Sequence, residues 1–291
     1  MLIYLNLMKN QIKYMNFIGS KKTLKDCLLE EDFEPLLSKK FKTLKERLLS
    51  EGEKLLKEVS FFARESDYTP ENFEFSFGYG KEKFYLKGEK VRLTLGGKID
   101  RMDTFEDKAI LLDYKTGSAP GDIEDVYFGT GIQLCTYMSV LDELGVKTVG
   151  AFYFPLNNEY KKKDEVRARL KGNVLGSEFA SFEPSQKEFR EKSRYVDADF
   201  NEKGNPLKNA RQTLCSSDEL QALKDYSVAV CTKAVDEIAD GYIAPSPFDK
   251  SCDYCKYKVL CAGLKVYKRE KKNVLKEEIY ELMKKGGEQN G

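Results

Sequence analysis

Residues 96–117 read GGKIDRMDTFEDKAILLDYKTG, and this stretch predicts a β-hairpin. Two strand-like segments are separated by the dipeptide at 106–107. If they pair across this tight loop, Asp100 lies directly opposite Asp113, with the two side chains about 5 Å apart on one face of the strands. Lys115 shares that face because it is two residues beyond Asp113. The hairpin therefore brings two carboxylates and one ammonium group to a single patch.

The paired carboxylates predict a metal site. Two carboxylates this close disfavour joint ionisation, and a divalent cation relieves their repulsion. Hard oxygen ligands suit Mg²⁺ or Mn²⁺, so Asp100 and Asp113 are predicted to hold such an ion, with the backbone carbonyl of Tyr114 as a further candidate ligand. The ion would activate water and neutralise charge on a phosphate. Lys115 would orient the water or stabilise the developing negative charge.

Asp103 provides a contrast within the same strand. It is three residues from Asp100, so its side chain is predicted to face the opposite side, in a structural role beside Arg101. The alternative for Asp100 and Asp113 is a pair of surface acids at strand ends. Asp is unfavourable in strands, and Asp113 follows the apolar run 109–112, so the coincidence with Lys115 favours a functional site.

The segments around the hairpin predict an α/β domain in which helices flank a mixed β-sheet. Strands are predicted over 72–77, 84–86, 91–105, 109–114 and 148–154. Helices are predicted over 123–144 and 217–240, each followed by a glycine. The polar region 157–209 is interpreted as a surface excursion.

The chain divides into three predicted parts: a helical N-terminal segment (1–66), a core (67–247), and a C-terminal part (248–291) with a cysteine cluster and a basic helix. Within the core, Gln133 and Tyr137 are four residues apart and share a helix face. On spacing alone, an ordinary solvent-facing pair explains these two residues equally well.

The composition excludes several kinds of site. The 291 residues contain no His, which excludes His-based triads and His-dependent metal sites. The sequence has no Gly-x-x-x-x-Gly-Lys-Ser/Thr motif for nucleotide phosphates. The net charge is only +1, and the lysine-rich runs at 39–57, 161–163 and 265–285 are interpreted as solvated helix faces rather than phosphate-binding patches. A cytoplasmic protein is expected, because neither a membrane-spanning run nor a signal peptide is recognisable.

The seven cysteines are an odd number, which argues against a disulfide framework. Cys252, Cys255 and Cys261 have the spacing of metal ligands, but three thiolates do not complete a four-cysteine site. On spacing alone, a zinc site and three free thiols both stay open. The candidates for a fourth ligand are Cys27, Cys215 and Cys231.

Three stretches together resemble the RecB-like branch of the PD-(D/E)XK nuclease superfamily: GKIDRMD at 97–103, DYKTG at 113–117 and GIQLCTY at 131–137. Within that branch, the chain is most similar to the C-terminal nuclease domain of the AddB subunits of ATP-dependent helicase/nucleases. The strand GAFYF at 150–154 and the segment GYIAP at 241–245 fit the same family. The resemblance covers about residues 72–263.

This resemblance implies a restriction-endonuclease-like fold and a Mg²⁺-dependent deoxyribonuclease. Such an enzyme processes DNA ends in double-strand-break repair by homologous recombination. The resemblance also implies that Asp100 and Asp113 are metal ligands, that Lys115 is the catalytic lysine, and that Gln133 and Tyr137 form a trailing motif near the DNA.

The resemblance further implies a 4Fe–4S cluster ligated by Cys252, Cys255 and Cys261. This cluster acts as a structural staple and supports binding of a DNA end. The implied partners are DNA ends or single strands, and an AddA-like helicase subunit that carries the ATP motor.

The chain departs from the family pattern at its beginning. In the family, a fourth cluster cysteine and a helix with a further His or Glu near the metal precede the core. This chain has no His, and the surroundings of Cys27 do not match the family motif. We therefore expect an N-terminally truncated form. The alternatives are a non-catalytic DNA-end-binding or scaffold remnant, and a phage or CRISPR-associated exonuclease of the same superfamily.

Overall fold

The computed structural model describes residues 59–79, 83–88, 90–115, 120–155, 170–183, 191–242, 244–248, 251–261 and 276–286, together with positions 43, 46, 50, 269 and 274. Most of the predicted N-terminal helical segment lies outside these residues, and within it residues 59–65 are helical. The 116–117 end of the hairpin motif also lies outside them.

The strands are β1 (Thr69–Phe77), β2 (Phe84–Lys87), β3 (Arg92–Leu95), β4 (Gly97–Phe105), β5 (Lys108–Lys115), β6 (Lys147–Pro155), β7 (Lys171–Leu175) and β8 (Leu214–Cys215). The helices with described ends are α1 (Ile123–Tyr127), α2 (Gln133–Glu143), α3 (Phe179–Phe182), α4 (Ala210–Thr213), α5 (Ser217–Ala239), α6 (Lys258–Cys261) and α7 (Lys276–Lys284). Short 3₁₀ turns cover Gly176–Glu178 and Ser251–Tyr254.

Six strands form one mixed sheet in the order β1-β4-β5-β6-β7-β8. The pairs β1–β4, β4–β5 and β6–β7 are antiparallel, whereas β5–β6 and β7–β8 are parallel. A helical connection, α1 and α2, joins the parallel pair β5–β6, as a parallel crossover requires. The predicted fold class, a mixed sheet flanked by helices, is confirmed.

The predicted hairpin register is also confirmed. Phe105 pairs with Lys108, and the pairing continues to Arg101 and Leu112. The two-residue loop contains Glu106 with a φ of 55°. Since this left-handed conformation suits the tight hairpin turn, the loop fixes the register of everything beyond it.

The sheet is covered on both faces, which explains why β5 is apolar throughout its centre. The first core cluster packs α1, α2, α5 and α7 on one face and includes Leu111, Val126, Leu141, Leu223 and Ile279. The second core cluster packs helical residues 59–65, α3 and the segment 191–200 on the other face and includes Leu112, Phe62, Phe152, Phe182 and Tyr195. Adjacent residues in the centre of β5 thus pack into opposite clusters, and both faces of the strand are apolar over residues 109–112.

Two predicted elements are each divided in the structure. The predicted helix 123–144 is two helices, because Gly129 has a φ of +73° and Gly131 packs against Asp125 with no room for a Cβ atom. The predicted strand 91–105 is divided at Gly96, and β3 pairs with β2 in a separate two-stranded sheet. In both stretches the pattern of apolar residues continues on the two sides of the break, so the sequence did not reveal where the element divides.

The interpretation of 157–209 as a surface excursion is wrong for its described part. Leu170, Val174, Phe179 and Phe182 are buried in the second core cluster, and β7 is an interior strand of the six-stranded sheet. These apolar residues are scattered among polar ones, so that no regular period shows. The Glu183 side chain is buried as well. Its carboxylate ties the segment 191–200 to α3, because it accepts hydrogen bonds from the Ser193 hydroxyl and from the Tyr195 backbone N–H.

The two predicted glycine stops are confirmed. Gly145 follows α2 with a φ of +86°, and Gly241 follows α5 with a φ of +73°. Near the C-terminus, Ile279 and Met283 of α7 are buried in the first core cluster. Within the part of the chain that the structure describes, no helix combines the length and the apolar character needed to cross a membrane.

Candidate active site

Asp100 lies where the ladder between β4 and β5 ends. The paired register stops at Arg101 and Leu112, and the next pair would be Asp100 with Asp113. At that point the backbone N–H of Tyr114 donates to Oδ2 of Asp100 at 2.9 Å. The Asp100 side chain therefore takes part in the hydrogen bonding between the strands, which fixes it beside Asp113.

Asp113 is held by two neighbouring side chains. It is 5% exposed, and its Oδ1 accepts a hydrogen bond from Nε2 of Gln133 at 3.3 Å. Its Oδ2 is 2.5 Å from Nζ of Lys115. This second contact is an ion pair, and among the described residues Oδ2 has no other polar partner.

Gln133 connects the remaining predicted residues. Its Oε1 accepts a hydrogen bond from Nζ of Lys115 at 3.2 Å, and its Nε2 lies 3.4 Å from the hydroxyl of Tyr137. Gln133 and Tyr137 share one face of α2, as predicted, and that face meets the end of β5. The structure thus brings together Asp100, Asp113, Lys115, Gln133 and Tyr137.

Burial favours the neutral form of the two carboxylates. It raises the pKa of Asp100 to about 6, with further contributions from the negative charges of Asp113 and Glu74, against the hydrogen bond from Tyr114. Burial also raises the pKa of Asp113, although Lys115 and Gln133 act in the opposite direction. A nearby cation would therefore stabilise the charged form of both carboxylates.

Asp103 is excluded from this patch, as predicted. Its side chain lies on the opposite face of the sheet, where it forms an ion pair with Arg101, and both residues are 0% exposed. The contrast with Asp100 follows from strand alternation.

Two residues that the sequence did not reveal extend the site across the sheet. Asp113 pairs with Tyr153 on β6, and Tyr153 pairs with the exposed Lys171 on β7. Paired residues point to the same face and neighbouring strands are about 4.8 Å apart, so the backbone of Lys171 lies about 10 Å from that of Asp113. Tyr153 also supports Lys115, whose Nζ is 5.1 Å from the centre of its ring.

Gly97 makes room for the Tyr137 ring. A Cβ atom at Gly97 would lie 2.5 Å from the ring of Phe77 and 2.8 Å from that of Tyr137. These two rings pack edge to face with their centroids 5.1 Å apart. The glycine that opens β4 is thus explained by the approach of α2 to the sheet.

The family model for the PD-(D/E)XK nuclease superfamily matches residues 19–262, which is most of the chain. The chain belongs to the PD-(D/E)XK nuclease superfamily. Its six-stranded mixed sheet with helices on both faces is consistent with the restriction-endonuclease-like fold of this superfamily.

Several relatives of this superfamily member are AddB subunits of the ATP-dependent helicase/deoxyribonuclease. The chain is 26% identical to the AddB subunit of Clostridium tetani over 256 residues, covering 77% of this chain and 22% of the relative. The AddB subunit of Geobacillus thermodenitrificans is 26% identical over 257 residues, with 77% and 22% covered. That of Carboxydothermus hydrogenoformans is 29% identical over 241 residues, with 72% and 21% covered. The chain therefore spans about a fifth of the length of these relatives.

The site of this superfamily member fits a hard divalent cation. Asp100 and Asp113 offer carboxylate oxygens at the same end of adjacent strands, and among the described residues Oδ2 of Asp113 is contacted only by the ammonium group of Lys115. Oxygen-only ligands of this type suit Mg²⁺ or Mn²⁺. The role of the Tyr114 carbonyl as a further ligand stays a prediction.

The three clustered cysteines do not fit a preformed metal site within the described residues, where no group of three Cys, Asp or Glu side chains is arranged to hold an ion. Cys252 and Cys261 are half-buried and Cys255 is exposed, all as free thiols. Of the candidate fourth ligands, Cys215 is buried beside the Tyr280 hydroxyl at 3.2 Å, and Cys231 lies 3.9 Å from Thr136. Cys27 lies outside the described residues.

Proposed function

We propose that this chain is a metal-dependent deoxyribonuclease, the nuclease module of a helicase–nuclease that processes DNA ends during double-strand-break repair by homologous recombination. The observation that carries this proposal is the convergence of Asp100, Asp113 and Lys115 at the end of two adjacent strands. The relatives that are subunits of a helicase/deoxyribonuclease support it. The expected partners are DNA ends or single strands and an AddA-like helicase subunit.

In this proposal Asp100 and Asp113 would hold Mg²⁺ or Mn²⁺, with the Tyr114 carbonyl as an additional ligand. A bound divalent ion supplies Lewis-acid chemistry, activating water and neutralising a scissile phosphate. The proposed role of Lys115 is to stabilise negative charge on that phosphate, since its ammonium group already lies between a carboxylate and an amide oxygen.

Gln133 and Tyr137 position these groups. The Gln133 amide contacts both the carboxylate of Asp113 and the ammonium group of Lys115, so that it sets the distance between them. The Tyr137 hydroxyl lies on the far side of Gln133. We propose that α2 presents this pair towards the DNA strand.

The proposed activity can be tested with the full chain and end-labelled linear duplex and single-stranded DNA. Cleavage is expected with Mg²⁺ or Mn²⁺ and is expected to stop when EDTA is added. Cleavage that continues in EDTA after the metal has been removed contradicts metal dependence. The chain could also bind DNA without metal and show no cleavage, whether alone or with an AddA-like subunit. That result contradicts the proposed enzymatic activity and supports the non-catalytic DNA-end-binding alternative.

Lys171 is proposed to contact a DNA phosphate next to the one at the carboxylates. It is exposed on the same face as Asp113, two strands away. Replacing Lys171 with Gln is expected to weaken DNA binding about fivefold and to reduce the slope of log Kd against log salt by about one unit, with little change in kcat.

The matched control for this prediction is Lys147→Gln. Lys147 lies at the other end of β6 and is paired with Asp107 at 3.3 Å, far from the carboxylates. Fluorescence anisotropy at several salt concentrations measures both variants. Equal affinities and equal slopes for the two variants would remove Lys171 from the DNA-binding surface.

An iron–sulfur cluster on Cys252, Cys255 and Cys261 stays a prediction from spacing and family resemblance. The full chain purified without oxygen is expected to show a broad absorption band at the blue end of the visible spectrum, and Cys255→Ser is expected to lose it. A colourless, zinc-loaded protein would identify the alternative zinc site. A colourless protein without metal would leave three free thiols.

We also propose that the division into residues 1–66, 67–247 and 248–291 reflects functional parts of the chain. The helical residues 59–65 and the helix α7 pack on opposite faces of the central sheet. The outer parts would therefore act as supports for the nuclease core rather than as independent units.

A further inference from the structure

A buried polar group lies directly behind the candidate active site, on the opposite face of the sheet. Arg101 forms an ion pair with Asp103, and both side chains are 0% exposed. Nη1 of Arg101 also donates a hydrogen bond to the hydroxyl of Tyr114 at 3.2 Å. Tyr114 belongs to the second core cluster, where its ring packs 5.6 Å from that of Phe154.

The chain connects this group to every catalytic side chain of the hairpin. Arg101 follows Asp100, and Tyr114 stands between Asp113 and Lys115. The Tyr114 backbone N–H donates directly to the Asp100 carboxylate at 2.9 Å. Because adjacent residues of a strand point to opposite faces, fixing Tyr114 from behind fixes the backbone that carries the residues in front.

Stability alone does not explain a charged pair at this position. Burying two charges costs desolvation energy, and apolar residues of similar volume often serve a core equally well or better. The surrounding second core cluster is apolar, so a polar group here requires another reason. The hydroxyl of Tyr114 gives that reason, because it is the point where the ion pair reaches the catalytic strand.

We propose that the Arg101–Asp103 ion pair acts through the Tyr114 hydroxyl to position the Asp100 and Asp113 carboxylates. The side chains of Arg101, Asp103 and Tyr114 are positioning groups and touch no substrate. The proposal rests on the proposed nuclease function for its consequence, but the restraint on the strand is present in the chain without metal or DNA. The restraint and its consequence can therefore be measured separately.

The test is the conservative substitution Tyr114→Phe, which keeps the aromatic ring and removes the hydroxyl that accepts the hydrogen bond from Arg101. The matched control is Tyr68→Phe. Tyr68 is 0% exposed in the same core cluster, and its hydroxyl donates to Glu178 at 2.8 Å. Its ring packs 5.6 Å from that of Phe105 at the loop end of the hairpin, at the opposite end from Asp100 and Asp113. Both variants lose one buried tyrosine hydroxyl, so that general loss of stability is matched.

Two readouts are taken on the full chain. The first is the rate of hydrogen exchange at the backbone amide of residue 114 in EDTA, measured by mass spectrometry. Tyr114→Phe is expected to accelerate this exchange about tenfold. The second is steady-state DNA cleavage, in which Tyr114→Phe is expected to lower kcat about tenfold with KM unchanged. Tyr68→Phe is expected to match the unsubstituted chain in both.

The proposal is overturned if Tyr114→Phe leaves the exchange rate unchanged, or if Tyr68→Phe changes both readouts equally. Faster exchange with an unchanged kcat also overturns it, because the restraint then has no effect on the reaction. If the unsubstituted chain does not cleave DNA, the proposed function fails instead. The exchange of residue 114 then decides whether the ion pair restrains the strand.

Discussion

Replacing Asp113 with Asn is expected to lower the single-turnover rate of DNA cleavage by at least about a thousandfold. The substitution keeps the size of the side chain and removes its charge. Asp113 is the more deeply buried carboxylate, and it contacts both Lys115 and Gln133. An amide would neither attract a divalent cation nor hold the ammonium group of Lys115, so two parts of the site fail together.

Asp107→Asn provides the control for this prediction. Asp107 lies on the same hairpin, at the opposite end of β5, and its side chain is 67% exposed beside Lys147. This variant is expected to cleave DNA at the rate of the unsubstituted chain. The melting temperatures of both variants show whether the fold is retained. A folded Asp113→Asn protein that cleaves within about tenfold of the normal rate is incompatible with the proposed site.

Lys115→Met is expected to produce the second largest effect, a loss of about a hundredfold in kcat with little change in KM. Methionine retains most of the apolar contact with the Tyr153 ring but cannot stabilise negative charge. Removing a cation that pairs with Asp113 is also expected to preserve or strengthen binding of a divalent ion at the carboxylates. This variant should therefore lose cleavage activity while it keeps the ability to bind a divalent ion.

Lys147→Met is the matched control, because Lys147 is an exposed lysine at the far end of β6. Cleavage under saturating Mg²⁺ and a Mn²⁺ titration are measured for both variants. If Lys115→Met raises KM and leaves kcat unaltered, Lys115 is a DNA-binding residue and the proposed catalytic role is wrong.

The hairpin of β4 and β5 could be predicted because its geometry depends on local rules. A two-residue loop sets the register, and strand alternation then places Asp100 and Asp113 on one face and Asp103 on the other. The structure confirms the register as far as Arg101 and Leu112 and places Asp103 beside Arg101. The functional roles of these residues remain predictions.

The parts that sequence reasoning missed depend on contacts between distant segments. Lys171 lies on the same face as Asp113 only because β7 pairs with β6, and nothing in the polar sequence around it indicates an interior strand of the sheet. The division of the predicted helix at Gly129 is local, but a regular apolar pattern continues on both sides of it. The link from Arg101 to the Tyr114 hydroxyl likewise requires the folded hairpin.

The measurement that tests the central claim most directly is Mn²⁺ binding by the metal-free chain. Binding is detected as a loss of the electron paramagnetic resonance signal of free Mn²⁺. The unsubstituted chain and Asp107→Asn are predicted to remove at least about one equivalent of Mn²⁺ from solution, and Asp113→Asn is predicted to leave it free. Equal Mn²⁺ binding by all three proteins would contradict the assignment of Asp100 and Asp113 as the metal site.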